Sequence, residues 1–176
     1  KKGIFMKKVS IVGISGYSGV ELLRLIHHHP NVEVSNVYGT ANIGRCLTDI
    51  FPKIAAISDY QELVIKEFSA QEIMASSDIV FFATPAGISA KYAGEFIKVN
   101  FPVIDLSGDF RLTDAKQYEK WYKKTAVHAD FLSKADYVLA DFDKPKQSFV
   151  SNPGCYATAA LLSLAPLYQK DLIQFD

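Results

Sequence analysis

The amino-acid sequence predicts a doubly wound α/β fold, a parallel sheet covered by helices on both faces. Three observations carry that expectation. Short apolar runs alternate with segments of helical period. The runs are apolar on both faces, as strands buried between two helix layers must be. A glycine-punctuated turn joins the first run to the first helical segment. Of 176 residues, 49% are hydrophobic and 22% charged, which are globular values and exclude wholesale disorder.

The first strand is expected over Val9–Ile14 (VSIVGI). Gly16-Tyr17-Ser18-Gly19 follows, and Val20, Leu22, Leu23 and Ile26 then keep the spacing of an amphipathic helix that Pro30 stops. Val32–Tyr38 alternates as a second strand. Ser69 and Glu72 stand at capping-box spacing before a short helix that ends ahead of Asp78. Ile79–Ala83 is a third strand, closed by Thr84-Pro85-Ala86-Gly87. A helix over Ser89–Val99 leads to a strand at Val103–Leu106. A less regular part follows: a helix near Ala115–Lys124, strands at Tyr137–Ala140 and Phe149–Ser151, and a closing helix from Pro153 to Gln169. Met6 reads as a natural start, and Lys1–Phe5 are set aside from the fold.

Nineteen basic and nineteen acidic side chains leave no net charge, so electrostatics gives no reason to bind nucleic acid or an anionic membrane. The longest strongly apolar stretch, Tyr156–Tyr168, contains Pro166 and falls short of the roughly 20 residues that span a bilayer. Two cysteines, Cys46 and Cys155, are too few and too far apart for a disulfide scaffold. With no signal-peptide pattern visible, the expected address is the cytoplasm.

The turn reads Gly13-x-x-Gly16-x-x-Gly19 between a strand and a helix, the Rossmann-type position for a dinucleotide pyrophosphate. A glycine-lined turn without ligand is the plain alternative. The second strand ends in Tyr38-Gly39-Thr40, and its only acid, Glu33, lies at the other end, so the usual carboxylate partner of an NAD ribose is missing. Thr40 can donate a hydrogen bond, and Arg45 carries a guanidinium suited to a phosphate, which favours NADP. Arg45 as an ordinary loop arginine is the competing reading.

In Ser151-Asn152-Pro153-Gly154-Cys155, Asn152 is read as an N-cap and Pro153 as the first helical residue. That puts Cys155 in the first turn, where the helix dipole favours the nucleophilic thiolate. A buried structural cysteine is the bland alternative. Cys46, in a loop with no cap or base, is expected to be inert. At the end of the Val103–Leu106 strand, Ser107, the Gly108 backbone and Arg111 make a candidate anion cradle. Asp109 pairing with Arg111 as a loop clamp is the structural reading. His27-His28-His29 suit a helix C-terminus better than a metal, because consecutive helical side chains diverge, and His128 reads as solvated.

With these residues in place, the chain resembles the N-acetyl-gamma-glutamyl-phosphate reductase family of arginine biosynthesis, within the aspartate-semialdehyde dehydrogenase-like group. The carrying pieces are GISGYSGVELLRLIHHHP at 13–30, FFATPAGIS at 81–89, VIDLSGDFRL at 103–112, the WY at 121–122 with His128, and SNPGCYATA at 151–159. It departs at Ala86, where the family commonly has histidine, at Gly39-Thr40 in place of Ser-Arg, and at Leu139-Ala140-Asp141 in place of Leu-Pro-Glu. The resemblance implies NADPH-dependent reduction of an acyl phosphate to a semialdehyde through a thioester on Cys155. From the residues and the resemblance together, the expected cofactor contacts are Gly13, Ser15, Gly16, Tyr17, Ser18, Gly19, Thr40, Arg45, Thr84 and Pro85. Ser107, Arg111 and Asn152 are the expected substrate contacts, and no metal is expected.

Family members run to roughly twice this length, with a substrate and dimerisation domain after the nucleophile that supplies a catalytic histidine. The expected division is a cofactor domain over 6–152 and a nucleophile helix over 153–176 leading into that absent domain. A homo-oligomer is expected for the whole enzyme, and no turnover from this chain alone. Two competitors stay open: a non-catalytic NADP-binding regulatory or sensor module, and an acyl-transferring cysteine hydrolase.

Overall fold

The computed structural model describes residues 6–54 and 57–174; Lys1–Phe5 lie outside the described residues. The strands are β1 (Lys7–Val12), β2 (Val32–Tyr38), β3 (Ile65–Lys66), β4 (Ile79–Phe82), β5 (Val103–Asp105), β6 (Ala135–Tyr137) and β7 (Phe149–Ser151). They form one sheet in the order β3-β2-β1-β4-β5-β7-β6, with every neighbouring pair parallel. The helices are α1 (Tyr17–His27), α2 (Leu47–Ile50), α3 (Ala70–Ser76), α4 (Ile88–Lys98), α5 (Ala115–Tyr122), α6 (Ala129–Leu132) and α7 (Cys155–Gln169). The doubly wound reading holds.

Alternation along the strands divides the core between the two faces. Val9, Ile11 and Val37 pack with Leu23 and Ile26 of α1 and with Leu47. Val80, Phe82, Val103 and Phe149 pack with Ile73 of α3 and with Ala93, Phe96 and Ile97 of α4. Each large side chain buried this way contributes about 1.5–3 kcal/mol. A bulge keeps Val34 and Val37 on the same side: the β1–β2 register skips Ser35, and the Ser35 hydroxyl donates to Val9 O (3.1 Å).

Several details differ from the sequence reading. β1 ends at Val12 because Gly13 takes φ +92° and turns the chain away. β6 lies over Ala135–Tyr137 rather than Tyr137–Ala140, since Leu139 O accepts from the amides of Phe142 and Asp143 in a turn. Half of the capping box forms: Ser69 Oγ accepts from Glu72 N (3.2 Å), while the Glu72 carboxylate goes to Lys66 instead of returning to Ser69.

The chain leaves β1 toward β2 and β3, then restarts on the other side with β4 and β5. The switch point lies between β1 and β4, and the loops after β1, β4, β5 and β7 all leave the same edge of the sheet. In open α/β sheets that edge holds the ligand.

Candidate active site

Two of the three motif glycines are demanded by the chain's own packing. A Cβ on Gly13 would stand 2.4 Å from Ala83 O, and one on Gly19 would stand 2.7 Å from Gly13 O. A Cβ on Gly16, which is exposed, would make only ordinary van der Waals contact, 3.5 Å from Gly13 O, so packing does not demand glycine there and a ligand can approach. Gly16 is the N-cap of α1, with no side-chain cap and no acid in the first turn. The first helical bond runs from Val20 N to Gly16 O (3.1 Å), which leaves the Tyr17, Ser18 and Gly19 amides without a helical acceptor. Thr84 lies against Gly13, and its Oγ1 is buried with no partner among the described residues. A Cβ-free cradle, unspent amides and an orphaned hydroxyl fit a dinucleotide.

Ser15 sits beside Gly39, which joins the glycine turn to the end of β2. Thr40 and Arg45 are exposed on the segment beyond, and Arg45 has no carboxylate partner within ion-pair distance among the described residues. Pro85 is exposed as well.

An open cleft of about 920 Å³ collects the remaining chemistry. Ser18 of the glycine turn, Arg111, Asn152 and Cys155 line it together, with Tyr122 and Tyr137 as aromatic walls. The nucleophile candidate and the cofactor turn therefore share one space. Arg111 is held by two backbone carbonyls: Nε donates to Asn152 O (2.9 Å) and Nη2 to Leu106 O (2.7 Å). Its Nη1 lies against Gly154, where a Cβ would come within 2.7 Å, and carries no hydrogen bond among the described residues. A fixed guanidinium with an unspent donor beside the cysteine is suited to an anion.

The start of α7 corrects the cap reading. The N-cap is Gly154, and Cys155 is the first helical residue. Asn152 stays extended because its amide donates to Asp105 O (2.8 Å), continuing the β5–β7 ladder, and because a residue before proline is driven from helical geometry. Its side chain donates to Pro153 O (3.0 Å) instead of capping. Cys155 is exposed. Cys46, read as an uncapped loop residue, is half-buried at the N-cap position of the four-residue α2.

Ser107 is a second correction. It is buried, and its hydroxyl faces Asp105 Oδ2 (3.0 Å) and Ser89 Oγ (2.9 Å), away from the cleft. The anion cradle therefore reduces to Arg111. Asp109 does not clamp Arg111; its carboxylate accepts from the amides of Gly87 (2.8 Å) and Ala90 (2.9 Å) and from Tyr118 OH (2.6 Å). Burial, and then the bond to Asp109, pushes the Tyr118 hydroxyl above its ordinary range. Asp105, wholly buried, is pushed up to about 6, first by burial and secondarily by Asp109, against the opposing bonds from Ser107 and Ser89. Ser89 and Tyr118 carry no local pattern that marks them in the sequence.

None of the four histidines lines the cleft. His27 and His29 open on the opposite edge of the sheet, beside Val32 and Glu33, and His128 caps α6 by accepting from Asp130 N (3.3 Å). No three metal-ligating side chains converge among the described residues, and none of their helices is long and apolar enough to cross a membrane.

Comparison with known proteins agrees with this geometry. The chain is 52% identical over 171 residues to the N-acetyl-gamma-glutamyl-phosphate reductase of Lactococcus lactis, covering 97% of this chain and 49% of that one. It is 50% identical over 170 residues to the protein of that name from Streptococcus mutans, again covering 49% of the relative. The chain thus spans about half the length of these curated relatives. Aspartate semialdehyde dehydrogenase with NADP from Candida albicans shares the fold, with TM-score 0.61 at 18% identity over 94% of this chain and 47% of that one. The Francisella tularensis enzyme superposes with TM-score 0.65 at 14% identity, over 94% of this chain and 42% of that one. Residues 8–171 match the family described as semialdehyde dehydrogenase, NAD binding domain. By sheet order, glycine turn and family match alike, the chain belongs to that family as its NAD-binding domain.

Proposed function

We propose that this chain is the cofactor-binding, nucleophile-bearing part of an NADPH-dependent N-acetyl-gamma-glutamyl-phosphate reductase of arginine biosynthesis. The observation that carries the reading is the single cleft in which Ser18 of the glycine turn, Arg111 and Cys155 meet. The names of the half-identical relatives supply the substrate. Residues 6–152 hold the cofactor, and 153–176 lead toward a substrate domain that also completes the active site. The whole enzyme works as a cytoplasmic homo-oligomer, and this chain by itself does not turn over.

The Cys155 sulfur, as thiolate, attacks the acyl-phosphate carbonyl; the new C–S bond forms as the C–O bond to phosphate breaks, and phosphate leaves with its electron pair. Arg111 Nη1 stabilises that departing charge from a position fixed by Leu106 O and Asn152 O. NADPH, when bound, would supply the hydride for the thioester carbon; the aldehyde forms as the C–S bond breaks and Cys155 leaves with the electron pair as thiolate. Gly16, Tyr17, Ser18 and Gly19 would hold its pyrophosphate, Ser15, Thr84 and Pro85 would flank it, and Thr40 and Arg45 would meet the 2′-phosphate. No histidine of this chain lines the cleft, so these residues supply no general acid–base histidine.

The test is phosphate-dependent NADP reduction by the full-length enzyme with the semialdehyde as substrate. Cys155→Ser is expected to lower kcat by roughly 10⁴-fold or more while NADP still binds. Arg45→Glu is expected to weaken NADP binding about tenfold and to leave NAD binding unchanged. Normal turnover by Cys155→Ser refutes the mechanism. Equal affinities of the unaltered protein for both cofactors refute the NADP assignment.

A further inference from the structure

Beneath the cleft, at the ends of β4, β5 and β7, lies a buried cluster that the proposed reaction does not use. Asp105 and Asp109 stand on either side of Ser89. Ser89 Oγ is 2.8 Å from Asp105 Oδ2, 3.0 Å from Asp109 Oδ2 and 2.9 Å from Ser107 Oγ. Ser107 Oγ is in turn 3.0 Å from Asp105 Oδ2. These are four short oxygen–oxygen contacts, and the two serines supply only one hydrogen each. Asp109 N already uses a lone pair of Ser107 Oγ (3.2 Å). With both carboxylates ionised, Ser89 can serve only one of them, and the contacts left without a hydrogen set lone pair against lone pair in a buried site.

A third hydrogen serves three of the four contacts instead of two. Placed on Asp105 Oδ2, it donates to Ser89 Oγ, Ser89 donates onward to Asp109, and Ser107 donates back into the pair. Asp109 Oδ2 has no need of it, since the Gly87 and Ala90 amides already donate there (2.9 Å each). Among the described residues no cation enters the cluster. Arg111 is turned to backbone carbonyls, Lys124 lies over Gly87 at the rim, and from α5 the facing groups are Tyr118 and, stacked behind it, Tyr122. From β7 the residue in register with Asp105 is Ser151, wholly buried with its hydroxyl unpartnered among the described residues. An unspent donor thus waits one strand away.

The cluster joins three loops at this edge of the sheet, of which the 106–111 and Asn152–Cys155 segments line the cleft. Asp109 holds the start of α4 through Gly87 and Ala90, the 106–111 segment carries Arg111, and Asp105 O receives the amide of Asn152, which leads to Cys155. We propose that a single proton, held by Asp105 and relayed through Ser89 to Asp109, braces these three loops, and that its loss at higher pH loosens them. Asp105 is thereby a positioning residue that acts through Arg111 and the Asn152–Cys155 segment. The brace does not depend on which substrate the cleft takes. Because the folded protein lifts Asp105 to about 6 from an ordinary 3.8, its contribution to stability is complete below about 4 and fades as the pH rises through about 6.

The experiment combines infrared titration with hydrogen exchange on the full-length protein, without cofactor or substrate. The unaltered protein is expected to show a carboxylic-acid carbonyl band that titrates near pH 6 and is missing from Asp105→Asn, whose amide mimics the protonated acid. Over the same range, exchange of segment 84–91 relative to Asp105→Asn is expected to rise about tenfold. If Asp105→Asn does not fold, Ser89→Ala serves: removing the relay is expected to move the band's midpoint by about one pH unit. The proposal is overturned if no such band exists, if it persists in Asp105→Asn, if exchange is pH-independent relative to that variant, or if Ser89→Ala leaves the midpoint in place. All of these readouts are independent of reductase activity.

Discussion

Helices α1 and α7 begin alike and are covered differently. Each follows a strand of the same parallel sheet, each has a glycine N-cap in extended geometry, and neither has a side-chain cap or a first-turn acid. Both therefore offer an unopposed positive end to the cleft edge. Past the first turn they diverge. α1 buries Gly19, Leu23 and Ile26 and turns polar residues outward, whereas α7 buries none of its residues although it is apolar almost all round. Tyr156, Leu161, Leu162, Leu164, Leu167 and Tyr168 all stand exposed. A local start needs only a few residues, but a buried face needs a neighbour, and the sheet supplies one to α1 alone.

The comparison can be broken most severely at Gly13. Gly13→Ala puts a Cβ onto Ala83 O at a positive φ, and is expected to cost about 3 kcal/mol or more. Gly16→Ala, whose Cβ would make only ordinary contacts, should cost below about 1 kcal/mol while still hindering cofactor binding. Urea unfolding of the two variants separates these cases, and equal losses would remove the distinction between packing glycine and ligand glycine.

On the α7 side, the exposed apolar face is expected to make the 176-residue chain self-associate at micromolar concentration. Leu161→Gln with Leu164→Gln should shift it toward monomer in sedimentation velocity. A monodisperse unaltered chain would show that α7 needs no cover.

A smaller effect than at Gly13 is expected at the α7 start itself. Gly154→Ala pushes on Arg111 Nη1, and shifting the guanidinium strains its bonds to Asn152 O and Leu106 O, so the stability change should be about 1 kcal/mol. The displaced guanidinium should weaken anion binding about tenfold, read as protection of Cys155 from iodoacetamide by inorganic phosphate. Unchanged protection would place the anion elsewhere.

Much of the scaffold was legible because its signals are local. β2 falls on Val32–Tyr38 as its alternation predicts, α4 starts one residue from expectation, and Cys155 stands in the first turn of α7 although that helix starts two residues later than expected. The errors have a common cause. Asn152 is an excellent cap by type, yet its backbone is claimed by β5; Ser107 looks like an anion ligand at a strand end, yet its side chain turns inward to Ser89 of α4 as well as to the nearby Asp105. In each case an element distant in sequence takes part in overriding the local preference.

By itself the sequence determined the parallel α/β architecture, the glycine turn and the helix-start cysteine. Apolar period, proline geometry and glycine freedom act within a few residues and need no partner. Only the tertiary structure decided which polar groups meet. Arg111 reaches Asn152 O, 41 residues away, because β7 is inserted next to β5 ahead of β6. Asp109 caps α4 rather than clamping Arg111 because packing brings Gly87 and Ala90, and not the guanidinium, to its carboxylate. A buried polar group bonds to whatever the strand order delivers, and strand order is a property of the whole sheet.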